Sequence, residues 1–199
     1  MTPPPLKLRW TGLVLAYARE RLTPDRLLPA VLLVVVATLA GKGWTGPTAL
    51  AADTLLALAL VVTFRIWDDL MDCERDRAKH PDRVVVRAPS TDPLVVASWA
   101  LLTVALWTIA DRQGLQSVVL LFVYMFVLVG SYRLRGPRTA TTDRILLLKY
   151  GVFTLALIGF PAAWSTRGLL AAAAAFLAAC VYEWWHDAES PVFSFGGSR

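Results

Sequence analysis

An all-α fold, a multi-span bundle of transmembrane helices with an N-terminal amphipathic helix in the membrane interface, is what this sequence predicts. Three observations predict it. Apolar residues make up 56% of the 199. Six apolar stretches (27–40, 49–64, 94–110, 115–131, 145–164 and 168–185) mostly approach the roughly 20 residues a helix needs to cross a bilayer. The cations then alternate from one connection to the next. Sixteen of the 20 Lys and Arg fall in the N-terminal arm, the 65–90 and 132–144 loops and the C-terminal tail. The intervening connections hold only Lys42, Arg112 and Arg167. That asymmetry is the positive-inside signature and predicts six crossings of a cell inner membrane, with both termini cytoplasmic. The net charge of +5 is thereby assigned to cytoplasmic loops, anionic ligands and membrane lipids, not to nucleic acid.

The length fits a single integral-membrane domain over 1–199. Residues 1–25 read as a tail and an interfacial helix. Leu13, Val14, Tyr17 and Leu22 beside Lys7, Arg9, Arg19 and Arg21 suit either a helix lying among lipid headgroups or one packed on the cytoplasmic ends of the bundle. Thr23-Pro24-Asp25 breaks it. Six transmembrane helices follow over 26–188. The first is short and contains Pro29, so it must draw on flanking residues or tilt. Asp53 is an intramembrane acid, which by itself raises a functional suspicion. Its place near the outer end favours a structural or interfacial role. Segments three and four form a hairpin through 111–114, and their aromatic residues read as packing or interface anchors. In the fifth segment, Lys149 either snorkels to the surface or faces a hydrated, anion-holding cavity; at the bilayer centre a lysine costs about 2.5–3.5 kcal/mol. The alanine run 171–175 suits close helix packing, and 189–199 reads as a tail. Cys73 and Cys180 fall at cytoplasmic segment ends, where a structural disulfide is not expected. No cleavable signal pattern is evident at the N-terminus.

The stretch that carries chemistry begins at Arg65 and ends at Arg83. Continued as a helix from the second segment, it stacks Asp68, Asp72 and Asp76 at i, i+4 and i+8, with Asp69 alongside. The stripe is roughly 12 Å long at 1.5 Å per residue. Like-charged neighbours weaken a helix. Interleaved Arg75, Arg77 and Lys79 could neutralise them as an ordinary solvated helix end. A divalent cation would do the same, since Mg²⁺ is held by one or two carboxylates plus substrate phosphates. His80-Pro81 ends the helix, and Arg83 and Arg87 are placed to reach back over the stripe. At the end of the sixth segment Glu183 and Asp187 repeat the i, i+4 spacing, again at the cytoplasmic mouth. Gly-rich phosphate loops, paired-cysteine zinc patterns and hydrolase nucleophile signatures are absent from the sequence.

Asp68-Asp69-Leu70-Met71-Asp72-Cys73-Glu74-Arg75-Asp76, followed by His80-Pro81-Asp82-Arg83, resembles the first motif of the UbiA superfamily of intramembrane prenyltransferases, Asn-Asp-x-x-Asp-x-x-x-Asp, with Asp68 in the Asn position. Lys149 before Tyr150 looks like the lysine those proteins carry early in the fifth segment. Glu183 and Asp187 are the candidates for the second acidic motif. The resemblance implies a UbiA-like helical bundle and a Mg²⁺-dependent transfer of an isoprenoid chain from a polyprenyl diphosphate to an acceptor. It implies Asp69, Asp72, Asp76 and Lys149 as catalytic residues, and Asp69, Asp72, Asp76, Glu183 and Asp187 as metal ligands. Arg65, Asp68, Arg83, Arg87 and Lys149 would contact the diphosphate. Members of that superfamily usually have nine crossings, so a homo-oligomer or a partner subunit would complete a bundle of six.

Two other readings compete. A terpene cyclase of the same type would capture the allylic cation with the chain's own alkenes. A non-catalytic membrane subunit or lipid-binding scaffold would keep the fold without turnover. A transporter fits less well, because the acids cluster at the cytoplasmic edge and not at mid-membrane. An aromatic compound, a quinone precursor and a sugar phosphate all remain open as acceptor.

Overall fold

The computed structural model describes residues 9–133, 139–187 and 190–193. The expectations for the first eight residues, for 134–138 of the basic loop and for the end of the C-terminal tail lie outside the described residues. Among the described residues all regular structure is helical. In chain order the helices are α1 (Trp10–Arg21), α2 (Pro24–Lys42), α3 (Pro47–Met71), α4 (Cys73–Lys79), α5 (Val84–Arg87), α6 (Asp92–Gln113), α7 (Leu115–Arg133), α8 (Ala140–Leu147), α9 (Lys149–Ile158) and α10 (Thr166–His186). Five of them, α2, α3, α6, α7 and α10, are long and apolar enough to cross a membrane. The chain is a multi-pass membrane protein.

Six such helices were expected, and segment 145–164 accounts for the difference. Its helix starts early, because Thr139 and Thr142 form a capping box ahead of Ala140. It also stops early, because Gly159 takes a left-handed φ of 80° that ends α9. Pro161 and a 3-10 turn at Ala162–Trp164 follow. Leu148 separates α8 from α9, although the bonds Leu148 N–H to Arg144 O (2.9 Å) and Val152 N–H to Leu148 O (3.0 Å) carry the helical path through it. At 10 residues, α9 by itself is about 15 Å long, and only together with α8 does the path over 140–158 reach about 28 Å. Pro161 and Gly159 are invisible to a count of apolar residues. The short first segment behaves as expected: α2 draws in residues 24–26 at one end and 41–42 at the other.

The chain forms two compact units. One comprises Met1–Pro29 and Leu58–Leu106. Its core joins Leu13 and Tyr17, one turn apart on α1, to Ile66, Val85 and Leu94. The inward face of α1 therefore packs on protein, while Trp10 and Leu15 stay exposed. Trp67 meets Trp99 edge to face at 5.6 Å, an arrangement that suits the aromatic quadrupole.

The other unit comprises Ala30–Ala57 and Trp107–Arg199. Here α9 packs against α7 and α10, burying Phe153, Ala156 and Leu157 completely. Small residues let α10 approach: Ala171, Ala172 and Ala175 are buried, and a Cβ on Gly151 would meet the Ala172 carbonyl oxygen at 2.9 Å. Gly151→Val is accordingly expected to lower stability by about 1–3 kcal/mol through overpacking. Gly130, with nothing within 4 Å of its added Cβ, should accept alanine without loss. Thermal melts of both variants in detergent check the contrast.

Asp53 takes the structural role its position favours. Only 1% exposed, it pairs with Lys42 at 2.6 Å and Arg112 at 3.6 Å. Lys42 Nζ also donates to the Leu157 carbonyl at 3.2 Å. After α10, residues expected to be a tail are part of the fold. Val192 is 1% exposed, and its carbonyl accepts from Arg144 Nε at 2.9 Å. Phe193 packs edge to face on Trp184.

Candidate functional site

The acidic end of α3 keeps the spacing that the helix reading requires. Asp72, at φ −89° and ψ 0°, separates α3 from α4. Its N–H nevertheless bonds to Asp68 O at 2.9 Å, and Asp76 N–H bonds to Asp72 O at 2.9 Å. Asp68, Asp72 and Asp76 thus sit on successive turns. His80 closes α4, donating its N–H to Asp76 O at 2.7 Å, and Pro81 prevents continuation.

The four aspartates have different surroundings. Asp69 is 5% exposed and accepts from Tyr17 Oη at 2.7 Å, Arg21 Nε at 2.9 Å and Arg21 Nη2 at 2.6 Å. Arg65 Nε adds a cation at 3.7 Å. The two Arg21 bonds reach different carboxylate oxygens, the bidentate fork that makes guanidinium–carboxylate pairs strong. Asp76 is buried and bonded to Arg83, which therefore does reach back over the stripe. Asp68 and Asp72 are only half-buried, and Arg75 lies 3.9 Å from Asp72. Arg87 is half-buried at the end of α5.

Titration follows from these contacts. Burial, reinforced by the Asp69 carboxylate, pushes the Tyr17 hydroxyl far above the usual phenol range, so it stays a donor. Burial works against the Arg21 charge, yet the hydrogen bonds and charge of Asp69 outweigh it and the guanidinium is held more firmly protonated. Burial pushes the Cys73 thiol up, which leaves it poorly nucleophilic at neutral pH. Glu20, one residue before Arg21, accepts the Val84 N–H at 2.8 Å at the start of α5.

A hard cation fits part of this set. Asp68 and Asp72 offer oxygen donors one turn apart at a half-exposed surface, the pair of carboxylates Mg²⁺ uses when phosphates complete its shell. Asp69 and Asp76 are already engaged with arginines. Among the described residues no three His, Cys, Asp or Glu side chains come together as a complete metal cage.

The remaining predicted residues belong to the second unit. Lys149 is 7% exposed at the first position of α9, with Nζ 5.7 Å from the Tyr150 ring centroid. Glu183, in the last turn of α10, and Asp187, just beyond it, are half-buried, and Asp187 N–H bonds to Glu183 O at 2.9 Å. Asp143 is 3% exposed and lies 3.5 Å from the Ser190 hydroxyl that donates to it.

Tyr17, Glu20 and Arg21 are what reading the sequence missed. Their signal is the i, i+4 spacing of Tyr17 and Arg21 on the same face as buried Leu13; the sequence leaves open whether that face meets lipid headgroups or protein, and the contacts with Asp69 put it on protein. Comparison with family models, with curated proteins and with solved structures finds no match for this chain.

Proposed function

We propose that this protein is a Mg²⁺-dependent intramembrane prenyltransferase of the UbiA type, using a polyprenyl diphosphate at the cytoplasmic face of an inner membrane. The observation that carries the reading is the pair Asp68 and Asp72, half-buried and one turn apart, at the end of a membrane-length apolar helix. An isoprenoid diphosphate has the same polarity, a long apolar chain ending in concentrated negative charge. Two of the three cations on the other connections, Lys42 and Arg112, are paired with Asp53.

In the reaction the allylic carbon–oxygen bond breaks, pyrophosphate leaves with the electron pair, and the acceptor bonds to the allylic cation while losing a proton. Mg²⁺ bound by Asp68 and Asp72 would compensate the charge on the leaving pyrophosphate. Arg83 and Arg87 would add positive charge on binding of the diphosphate, and apolar helices around the isoprenoid would keep water from the cation.

One observation favours a second reading, a non-catalytic lipid-binding scaffold: Asp69 and Asp76 are neutralised by Arg21 and Arg83, as in an ordinary structural helix end. Incubation of the purified protein with labelled allylic diphosphates and Mg²⁺, with and without candidate acceptors, decides. Prenylated acceptor supports the transferase. A cyclised hydrocarbon or alcohol formed without acceptor shows a cyclase. No pyrophosphate release at any chain length leaves the scaffold.

A further inference from the structure

The contacts of α1 converge on one carboxylate. Tyr17 and Arg21, one turn apart, place three donors on Asp69 within 2.9 Å. Glu20, between them, holds the Val84 N–H, and Leu13 with Tyr17 fills the cluster around Ile66, Val85 and Leu94. These are two polar ties and one apolar tie, from one face of a 12-residue helix.

We propose that Asp69 is the anchor of α1 and not a metal ligand, with Arg21 and Tyr17 as positioning residues that lock the N-terminal helix over the acidic end of α3. Only the metal half of this statement rests on the function proposed above. The chemistry of the donors argues for it. Mg²⁺ dehydrates reluctantly and keeps several waters, whereas Asp69 is 5% exposed and already accepts from three protein groups. Taking Asp69 would require a metal to expel a bidentate guanidinium and leave it buried beside Arg65. Asp68 and Asp72, half-buried on the same stripe, are the more accessible carboxylates.

Hydrogen exchange of the full-length chain in detergent, read on the segment 10–21, tests the lock. In wild type this segment is expected to be protected, and millimolar Mg²⁺ should leave the protection unchanged. Arg21→Gln and Asp69→Asn should each speed its exchange at least about tenfold, and the double variant should be no worse than either single one, since both break one interaction. Arg21→Lys, which keeps the charge but loses the fork, should fall between. Acceleration by Mg²⁺ in wild type, or unchanged protection in Arg21→Gln, overturns the proposal. Mn²⁺ titration by electron paramagnetic resonance supplies the second arm. Asp69→Asn should bind Mn²⁺ within about threefold of wild type, while Asp72→Asn should lose at least about tenfold, as expected for a lost ligand. A loss in Asp69→Asn as large as that in Asp72→Asn, with α1 still protected, makes Asp69 a ligand and sinks the idea. If wild type binds no Mn²⁺, the function proposed above fails, and the exchange data alone then decide whether α1 is locked.

Discussion

Asp53→Ala is expected to destabilise the protein by about 3–5 kcal/mol, the usual result of removing one partner from a buried ion pair. The side chain is 1% exposed and sits between Lys42 and Arg112, so its loss leaves two cations among apolar helices. The cost comes from those stranded charges and not from the Coulomb energy of the pair. Lys42→Met should therefore cost less than Asp53→Ala, because Arg112 still compensates the carboxylate. Combining Lys42→Met and Arg112→Met with Asp53→Leu should recover much of the loss, since apolar replacement of a whole buried ionic group is often neutral. Unfolding in detergent micelles measures all three. A shift below about 1 kcal/mol for Asp53→Ala, the scale of an exposed pair, would show that the site is hydrated and the pairing incidental.

Asp72→Asn is expected to lower Mg²⁺-dependent pyrophosphate release by at least about 10²-fold, the scale of removing one group that stabilises charge in the transition state. The fold should be largely unaffected, because Asp72 is half-buried and Asn keeps its size and hydrogen-bonding capacity. Asp69→Asn gives the instructive contrast: it should show a large stability loss, with Mg²⁺ dependence retained in whatever fraction folds. Steady-state release assays over a Mg²⁺ titration, with melting curves for the same samples, separate the two. Equal activity losses at unchanged stability would mean that both aspartates act in the chemistry.

The long apolar helices were legible because their signals are local. Apolar runs mark α2, α3, α6, α7 and α10, and His80-Pro81 and Gly114 end elements where they stand in the sequence. The breaks within 145–164 were also local, but Gly159 and Pro161 were outvoted by their apolar neighbours. Pairing across the fold was the part that could not be read. Arg21 meets Asp69 48 residues away, and Lys42 and Arg112 meet Asp53, yet in a count of loop charges all three cations look alike. The i, i+4, i+8 spacing of the acidic stripe was legible, although Asp72 divides it between α3 and α4. What the sequence does not carry is how the carboxylates divide, two inward onto arginines and two toward the surface, because tertiary packing of α1 and α5 decides it. Val192 was missed for the same reason: a single valine in a tail has no periodicity to betray its burial.

An anomalous-scattering map of the protein with Mn²⁺ and a non-hydrolysable isoprenoid diphosphate tests the central claim most directly. The account predicts metal at about 2.0–2.2 Å from carboxylate oxygens of Asp68 and Asp72, bridged to the diphosphate, with Arg21 still on Asp69. Metal bound to Asp69 with Arg21 displaced, or a diphosphate bound away from the acidic end of α3, would contradict it.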